Sequence, residues 1–265
     1  MKARSPICLT IAGSDPSGGA GVQADLKTFH QHRVYGTAVI TLLTVQNTKS
    51  VSAVRLMDVD LVVEQLKAIL DDIPPHAAKT GALGGPEIVD AISSKAREFN
   101  FPLVVDPVMV SKHGAKLLDP EAAEIFRKRL LPLAYLVTPN LREAEELSER
   151  SVETLAQMEK AAVSIAKLGP KHVLIKGGHL PNEPVDILYT GGTCHRLSAP
   201  RIETRNTHGT GCVLSAAITS HLGYGRDLPT AVARAKDFIS EAIQTAPGLG
   251  DGAGPVNMFA SVKVQ

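Results

Sequence analysis

Residues 7–21 read Ile7-Cys-Leu-Thr-Ile-Ala-Gly-Ser-Asp-Pro-Ser-Gly-Gly-Ala-Gly21, and a helix-period segment continues from there to His32. The apolar run Ile7–Ala12 reads as a strand buried on both faces, the glycines as a tight turn, and Gly21–His32 as the helix that covers the strand. The same alternation recurs along the chain. Further strands are expected at Thr37–Val45, Leu103–Asp106, Tyr135–Thr138, Val173–Lys176 and Asp186–Tyr189. Helices are expected at Val59–Leu70, Glu87–Phe99, Pro120–Leu131, Thr154–Leu168, Gly211–Leu222 and Pro229–Thr245. Strand–helix alternation with continuous apolar strands predicts an α/β fold with a mostly parallel central sheet and helices on both faces. No repeat, linker or low-complexity tract interrupts it, so residues 1–265 are expected to form one domain.

The polar and glycine-rich clusters fall where such strands end. Gly13-Ser14-Asp15 follows the first strand, Gln46-Asn47 the second, Asp106-Pro107 the third, Asn140 the fourth and Lys176-Gly177-Gly178 the fifth. In doubly wound sheets, ligands bind at that carboxyl edge. Composition sets the ligand class by exclusion. With 28 basic and 27 acidic side chains, the formal net charge of +1 gives no drive toward nucleic acid or an anionic membrane. No apolar run of membrane-spanning length exists, the opening residues carry too short an apolar stretch for a secretory signal, and a cytoplasmic location is expected. Three cysteines without CxxC spacing match neither a disulfide framework nor a zinc site.

Four segments carry candidate chemistry. Gly13–Gly21 can bring backbone close to an anion or a flat ring, and it also suits a tight turn with close helix–sheet packing. It lacks the lysine of a Walker A loop. Gly19-Ala-Gly21-Val-Gln-Ala24 matches the dinucleotide fingerprint, but Thr37–Asn47 lacks the acid that would bind a ribose. Asn206-Thr-His208-Gly209-Thr210-Gly211-Cys212 precedes an apolar helix and places consecutive amides at its positive end, a nest for a transferring phosphoryl group. There the helix dipole is expected to lower the Cys212 thiol pKa; a buried core thiol is the plainer alternative. Asn140-Leu-Arg-Glu143 reads as a capping box, or as a pair orienting the water ligands of a magnesium ion. Lys176, at a strand end beside two glycines, is either a solvated lysine or a point charge for a phosphate.

Taken together, these motifs resemble the ribokinase-like superfamily and, within it, the hydroxymethylpyrimidine/phosphomethylpyrimidine kinases. The resemblance runs through Leu9–Gly21, Gln23–Thr28, Val45–Thr48, Lys79-Thr-Gly81, Val105–Met109, Thr138-Pro-Asn140 with Glu143, Lys176-Gly-Gly-His179 and Asn206–Cys212. It implies a three-layer ribokinase-like fold and two ATP-dependent phosphorylations of 4-amino-5-hydroxymethyl-2-methylpyrimidine, to the monophosphate and then the diphosphate, for thiamine biosynthesis. By the same resemblance, Gln46 would bond the aminopyrimidine, and Asp25, Gly13 and Val108 would line its pocket. Cys212 would stand where other members carry an aspartate base, with Gly209 and Gly211 framing an anion hole. Lys176, Asn140, Glu143 and Thr210 would serve ATP, and Asp106, Asn140 and Glu143 would hold Mg²⁺ through water.

Some relatives carry a methionine after the K-x-G strand where this chain has Ala82, a smaller wall that would admit a larger ring. Pyridoxal-type alcohols are therefore the alternative substrate, and a nicotinamide-dependent dehydrogenase is the rival from another class. The resemblance also implies a homodimer. Leu83–Pro86 and Ser111–Lys116 are the glycine-containing segments expected to move.

Overall fold

The structure is a computed structural model that describes residues 5–110, 114, 117–178, 180 and 184–262. In chain order the strands are β1 (Ile7–Ser14), β2 (Tyr35–Gln46), β3 (Val51–Leu56), β4 (Ala77–Thr80), β5 (Leu103–Val105), β6 (Leu136–Val137), β7 (His172–Ile175), β8 (Val185–Thr190) and β9 (Thr193–Ser198). The helices are α1 (Gly21–Gln31), α2 (Val59–Asp72), α3 (Pro86–Ala96), α4 (Pro120–Ile125), α5 (Leu141–Ser148), α6 (Leu155–Ala166), α7 (Thr210–Gly223) and α8 (Leu228–Gln244).

All nine strands form one sheet in the order β3-β2-β1-β4-β5-β6-β7-β8-β9. Pairings from β2 through β7 are parallel, whereas β3 on one side and β8–β9 on the other add antiparallel edges. Successive residues of each central strand feed opposite cores, as the period of two requires. Leu9, Ile11, Val105, Val137, Val173 and Ile187 pack with α2 to α6. Cys8, Val104, Leu136, Leu174 and Leu188 pack with α1, α7 and α8. This is the ribokinase-like layered arrangement, with helices on both faces of a mixed sheet.

Three strands escaped the sequence reading, each for a physical reason. β4 is Ala-Ala-Lys-Thr, a composition with weak strand preference that becomes a strand only because β1 and β5 flank it. β9 is an edge strand of mostly polar, exposed residues, and β3 is an edge strand whose apolar residues are broken by Ser52 and Arg55 and stay partly exposed, so neither shows a buried apolar run. The helix expected at Pro120–Leu131 holds α-geometry only to Ile125. It then widens into a π-turn over Phe126–Leu130 and tightens into a 3₁₀ turn containing Pro132.

Leu83–Pro86 does not have the character of an exposed loop: Leu83, Gly84 and Gly85 are buried, Gly84 bridges Leu118, and Gly85 caps α3. Most of Ser111–Lys116 lies outside the described residues, as does His179. Among the described residues no helix is long and apolar enough to cross a membrane.

Candidate active site

The two glycine-rich segments, far apart in sequence, interlock at the carboxyl edge of the sheet. A Cβ on Gly209 would overlap the carbonyl oxygen of Gly19, and a Cβ on Gly19 would overlap the His208 ring. Gly209 also sits at φ +78° as the N-cap of α7, a left-handed conformation suited to glycine. These contacts account for the G-x-G-x-x-A pattern. Gly21 has φ +59°, and a side chain there would run into the Gly13 carbonyl, so the glycines serve turn packing rather than a dinucleotide. Gly13 is itself buried against Leu42, which explains its lack of a side chain by packing.

Asp15 organises the first turn. Its Oδ1 accepts from Ser17 N at 2.9 Å, and its Oδ2 accepts from Ser17 Oγ and Ala20 N, both at 2.9 Å. The same Oδ2 lies 2.8 Å from His208 Nε2, which in turn lies 3.3 Å from Gln46 Nε2 at the end of β2. Burial would raise the Asp15 carboxyl, but the bonds from His208 and Ser17 hold it below the usual carboxylate range. Gln46 and the Gly209 turn are thus joined through one imidazole.

A second cluster lies beside α7. Asp106, just past β5, accepts from Lys176 Nζ at 2.9 Å and from Thr138 Oγ1 at 3.2 Å, while Ser215 Oγ of α7 donates to its other oxygen at 3.4 Å. A Cβ on Gly211 would come within 3.3 Å of Lys176 Nζ and 3.5 Å of Asp106 Oδ2, so the α7 backbone runs directly over this ion pair. Lys176 is bridged to Asn140 across the β7–β6 edge. Burial would lower the Lys176 ammonium, but Asp106 and then Glu143 hold it above its ordinary value.

Asn140 and Glu143 form the capping box of α5: Asn140 Oδ1 accepts from Glu143 N at 3.0 Å, and Glu143 Oε2 accepts from Asn140 N at 2.7 Å. Both side chains bond the helix start, and the Lys176 charge acts on the Glu143 carboxyl. Burial raises Glu143 to about 7, although Lys176 pulls it down. Thr210 opens α7 and is half-buried, as is Val108 beyond Asp106.

For Cys212 the structure corrects the expected pKa. Burial pushes the thiol up to about 11, and the Asp25 and Asp106 carboxylates add to that; Lys79 and the Gly21 amide pull it down without prevailing. Helix-end electrostatics act over the first turn only, and here loss of solvent outweighs them. Asp25, expected to line the heterocycle pocket, is fully enclosed in this structure. Its carboxylate is taken by Thr10 Oγ1 at 2.6 Å and Lys79 Nζ at 2.7 Å, so both its oxygens are engaged inside the protein.

The sequence reading gave no role to Lys79, Asp15, His208 or Ser215. The sequence carries a signal for Asp25, which shares the helical-period face of α1 with Val22 and Phe29, but none for Lys79, which lies in the short Ala-Ala-Lys-Thr segment. A shallow groove of about 640 Å³ lies elsewhere, lined in part by His32, Arg196, His221 and Arg234, and it includes none of the residues expected to act.

Residues 15–257 match the phosphomethylpyrimidine kinase family. The chain is 48% identical over 251 residues to the thiamine biosynthesis bifunctional protein ThiED of Geobacter sulfurreducens, covering 94% of this chain but spanning only 51% of that longer protein. It is 47% identical over 257 residues to the hydroxymethylpyrimidine/phosphomethylpyrimidine kinase of Rhizobium meliloti, covering 96% of this chain and 97% of the relative. Among solved structures, an ADP complex of Bacillus subtilis pyridoxal kinase superposes with a TM-score of 0.91 at 40% identity, covering 97% of this chain and 98% of that one.

Proposed function

The chain belongs to the phosphomethylpyrimidine kinase family, and from that premise we propose that it moves the γ-phosphoryl group of ATP onto 4-amino-5-hydroxymethyl-2-methylpyrimidine in two successive steps. The first acceptor is the hydroxymethyl oxygen; the second is a phosphate oxygen of the resulting monophosphate, giving the diphosphate used in thiamine biosynthesis. We read it as one kinase domain acting in the cytoplasm as a homodimer. The observation that carries the reading is the His208 bridge, which sets Gln46 beside the Gly209 turn and so brings a heterocycle position and an amide nest within one site.

Phosphoryl transfer asks little covalent chemistry of a protein beyond alignment and charge stabilisation. The amides opening α7 around Gly209–Cys212 would receive charge on the transferring group, and Lys176 is placed beside Gly211 to add a full positive charge. In the first step the alcohol must lose a proton, and the Cys212 sulfur is the acceptor we assign. In the second step the acceptor oxygen is already ionised, so no base is needed. A neighbouring ammonium, Lys79, offsets the cost of a buried thiolate.

A magnesium ion fits the donor set in the way such ions are usually held, through one or two carboxylates together with substrate phosphates. Among the described residues no group of three or more His, Cys, Asp or Glu side chains could hold a metal alone. Asp106, paired with Lys176, and Glu143, on which the Lys176 charge also acts, would instead share the ion with ATP, with Asn140 orienting its water. Bound there, the ion would neutralise charge on the β- and γ-phosphates.

One observation favours a second substrate. Ala82, just beyond β4, stands where some relatives carry a methionine and would leave a smaller wall, and a similar solved structure is a pyridoxal kinase. Steady-state kinetics on the pyrimidine alcohol, its monophosphate and pyridoxal, with ATP and Mg²⁺, test the assignment. The expected order of kcat/KM places both pyrimidines above pyridoxal. Turnover of pyridoxal alone would overturn it.

A further inference from the structure

Gln46 is the residue to which this reading gives the heterocycle, and its carboxamide can present either a donor or an acceptor to a ligand. The hydrogen-bond chain behind it decides which. Asp15 is 3% exposed and accepts three bonds from Ser17 and Ala20, a set that suits an ionised, acceptor-only carboxylate. Against the effect of burial, His208 and Ser17 hold its carboxyl below the usual range. His208, also buried, reaches Asp15 Oδ2 at 2.8 Å through Nε2, so that nitrogen must carry the hydrogen. The Gln46 amide approaches this same Nε2 to 3.3 Å. Two N–H groups cannot bond each other, whereas the amide oxygen can share the imidazole proton with Asp15. A half-turn about the last side-chain bond exchanges the two amide ends.

We propose that His208, held by Asp15, turns the Gln46 carboxamide so that its oxygen faces the imidazole and its NH₂ faces the substrate. Asp15 and His208 are therefore positioning residues, and Gln46 reads a hydrogen-bond acceptor, the ring nitrogen, rather than the exocyclic amine beside it. The inference rests on the proposed function for the identity of the ring, but not for the orientation of the amide. A site built around a donor also accommodates other heterocyclic alcohols that offer an acceptor at that point, pyridine alcohols among them, and rejects rings that offer none.

Two measurements test it separately. In the ¹⁵N-labelled full chain, the His208 ring signals, assigned by comparison with His208→Asn, should show a protonated Nε2; a bare Nε2 would overturn the orientation whatever the enzyme phosphorylates. In kinetics, a substrate analogue with the ring nitrogen replaced by C–H should lose about 10- to 100-fold in kcat/KM, and one lacking only the amine much less. The reverse order overturns the proposal. Gln46→Glu, an acceptor-only side chain of the same shape, should raise KM for the ring-nitrogen substrate with little change in kcat; an unchanged KM would also overturn it. If no heterocyclic alcohol is phosphorylated, the functional reading fails while the ring-signal measurement still decides the orientation.

Discussion

Lys79 Nζ lies 2.7 Å from Asp25 Oδ1, and neither side chain has any exposed surface. The pair sits under the Cys212 end of α7, with Thr10 Oγ1 bonding the second Asp25 oxygen. Burial alone would lower the Lys79 ammonium, yet Asp25, Cys212 and Asp106 hold it above its ordinary value. Removing one member of such a pair strands the other in a medium that solvates it poorly.

Lys79→Met should therefore destabilise the fold by about 3–5 kcal/mol, because it leaves an uncompensated carboxylate in the core. Combining it with Asp25→Leu should recover much of that loss. Urea-unfolding midpoints of the two variants check this, and a single variant as stable as the parent would show that the pair is neutral in the folded chain.

Cys212→Ala should lower the first phosphorylation by about 10²- to 10⁴-fold, the usual range for loss of a general base, and the second far less. With the thiol raised to about 11, the first step should also accelerate as pH rises above neutrality, while the second should not follow that limb. Single-turnover rates on the alcohol and on its phosphate make the comparison; equal losses in both steps would remove the base role.

Glu143 has its folded pKa raised from 4.5 to about 7, so its stabilising contribution is complete below about pH 4.5 and is lost as pH rises through 7. Glu143→Gln retains the capping-box acceptor and should abolish that pH-dependent loss in the nucleotide-free protein. The same variant should reduce Mg²⁺-ATP-dependent kcat/KM by about 10- to 100-fold, the scale seen when a group orienting a metal's ligands is lost. Thermal denaturation across this pH range, beside ATP titrations, separates the two effects.

Acid should open the molecule from a different place. Burial pushes His32 down to about 4 and His221 to about 3, with their rings edge to face at 5.2 Å between centroids and His32 also against Phe238. Both are neutral in the fold and titrate near 6.5 when unfolded. Their contribution is intact above about pH 6.5 and is lost as pH falls toward 4. His32→Phe should flatten the stability profile over that window, measured as unfolding free energy at successive pH values.

Much of this architecture was legible from local pattern. Apolar runs such as Val173–Ile175 and Leu103–Val105 are strands because burial on both faces demands it, and Asn140 is a helix cap that its spacing to Glu143 announces. Local pattern could not reveal β4, whose strand conformation comes from its neighbours, or the exposed edge strands β3 and β9, which present no continuous buried apolar run.

The order of motifs along the chain, and their place at the carboxyl ends of strands, followed from the sequence by itself, because chain connectivity and side-chain period are local properties. Only the folded arrangement decided that Gly19 and Gly209 interlock, that Asp25 is sealed against Lys79, and that the Cys212 thiol is raised rather than lowered. Each of those depends on residues distant in sequence that exclude water from one another. Electrostatics in a core is set by what surrounds a group, which no linear spacing records.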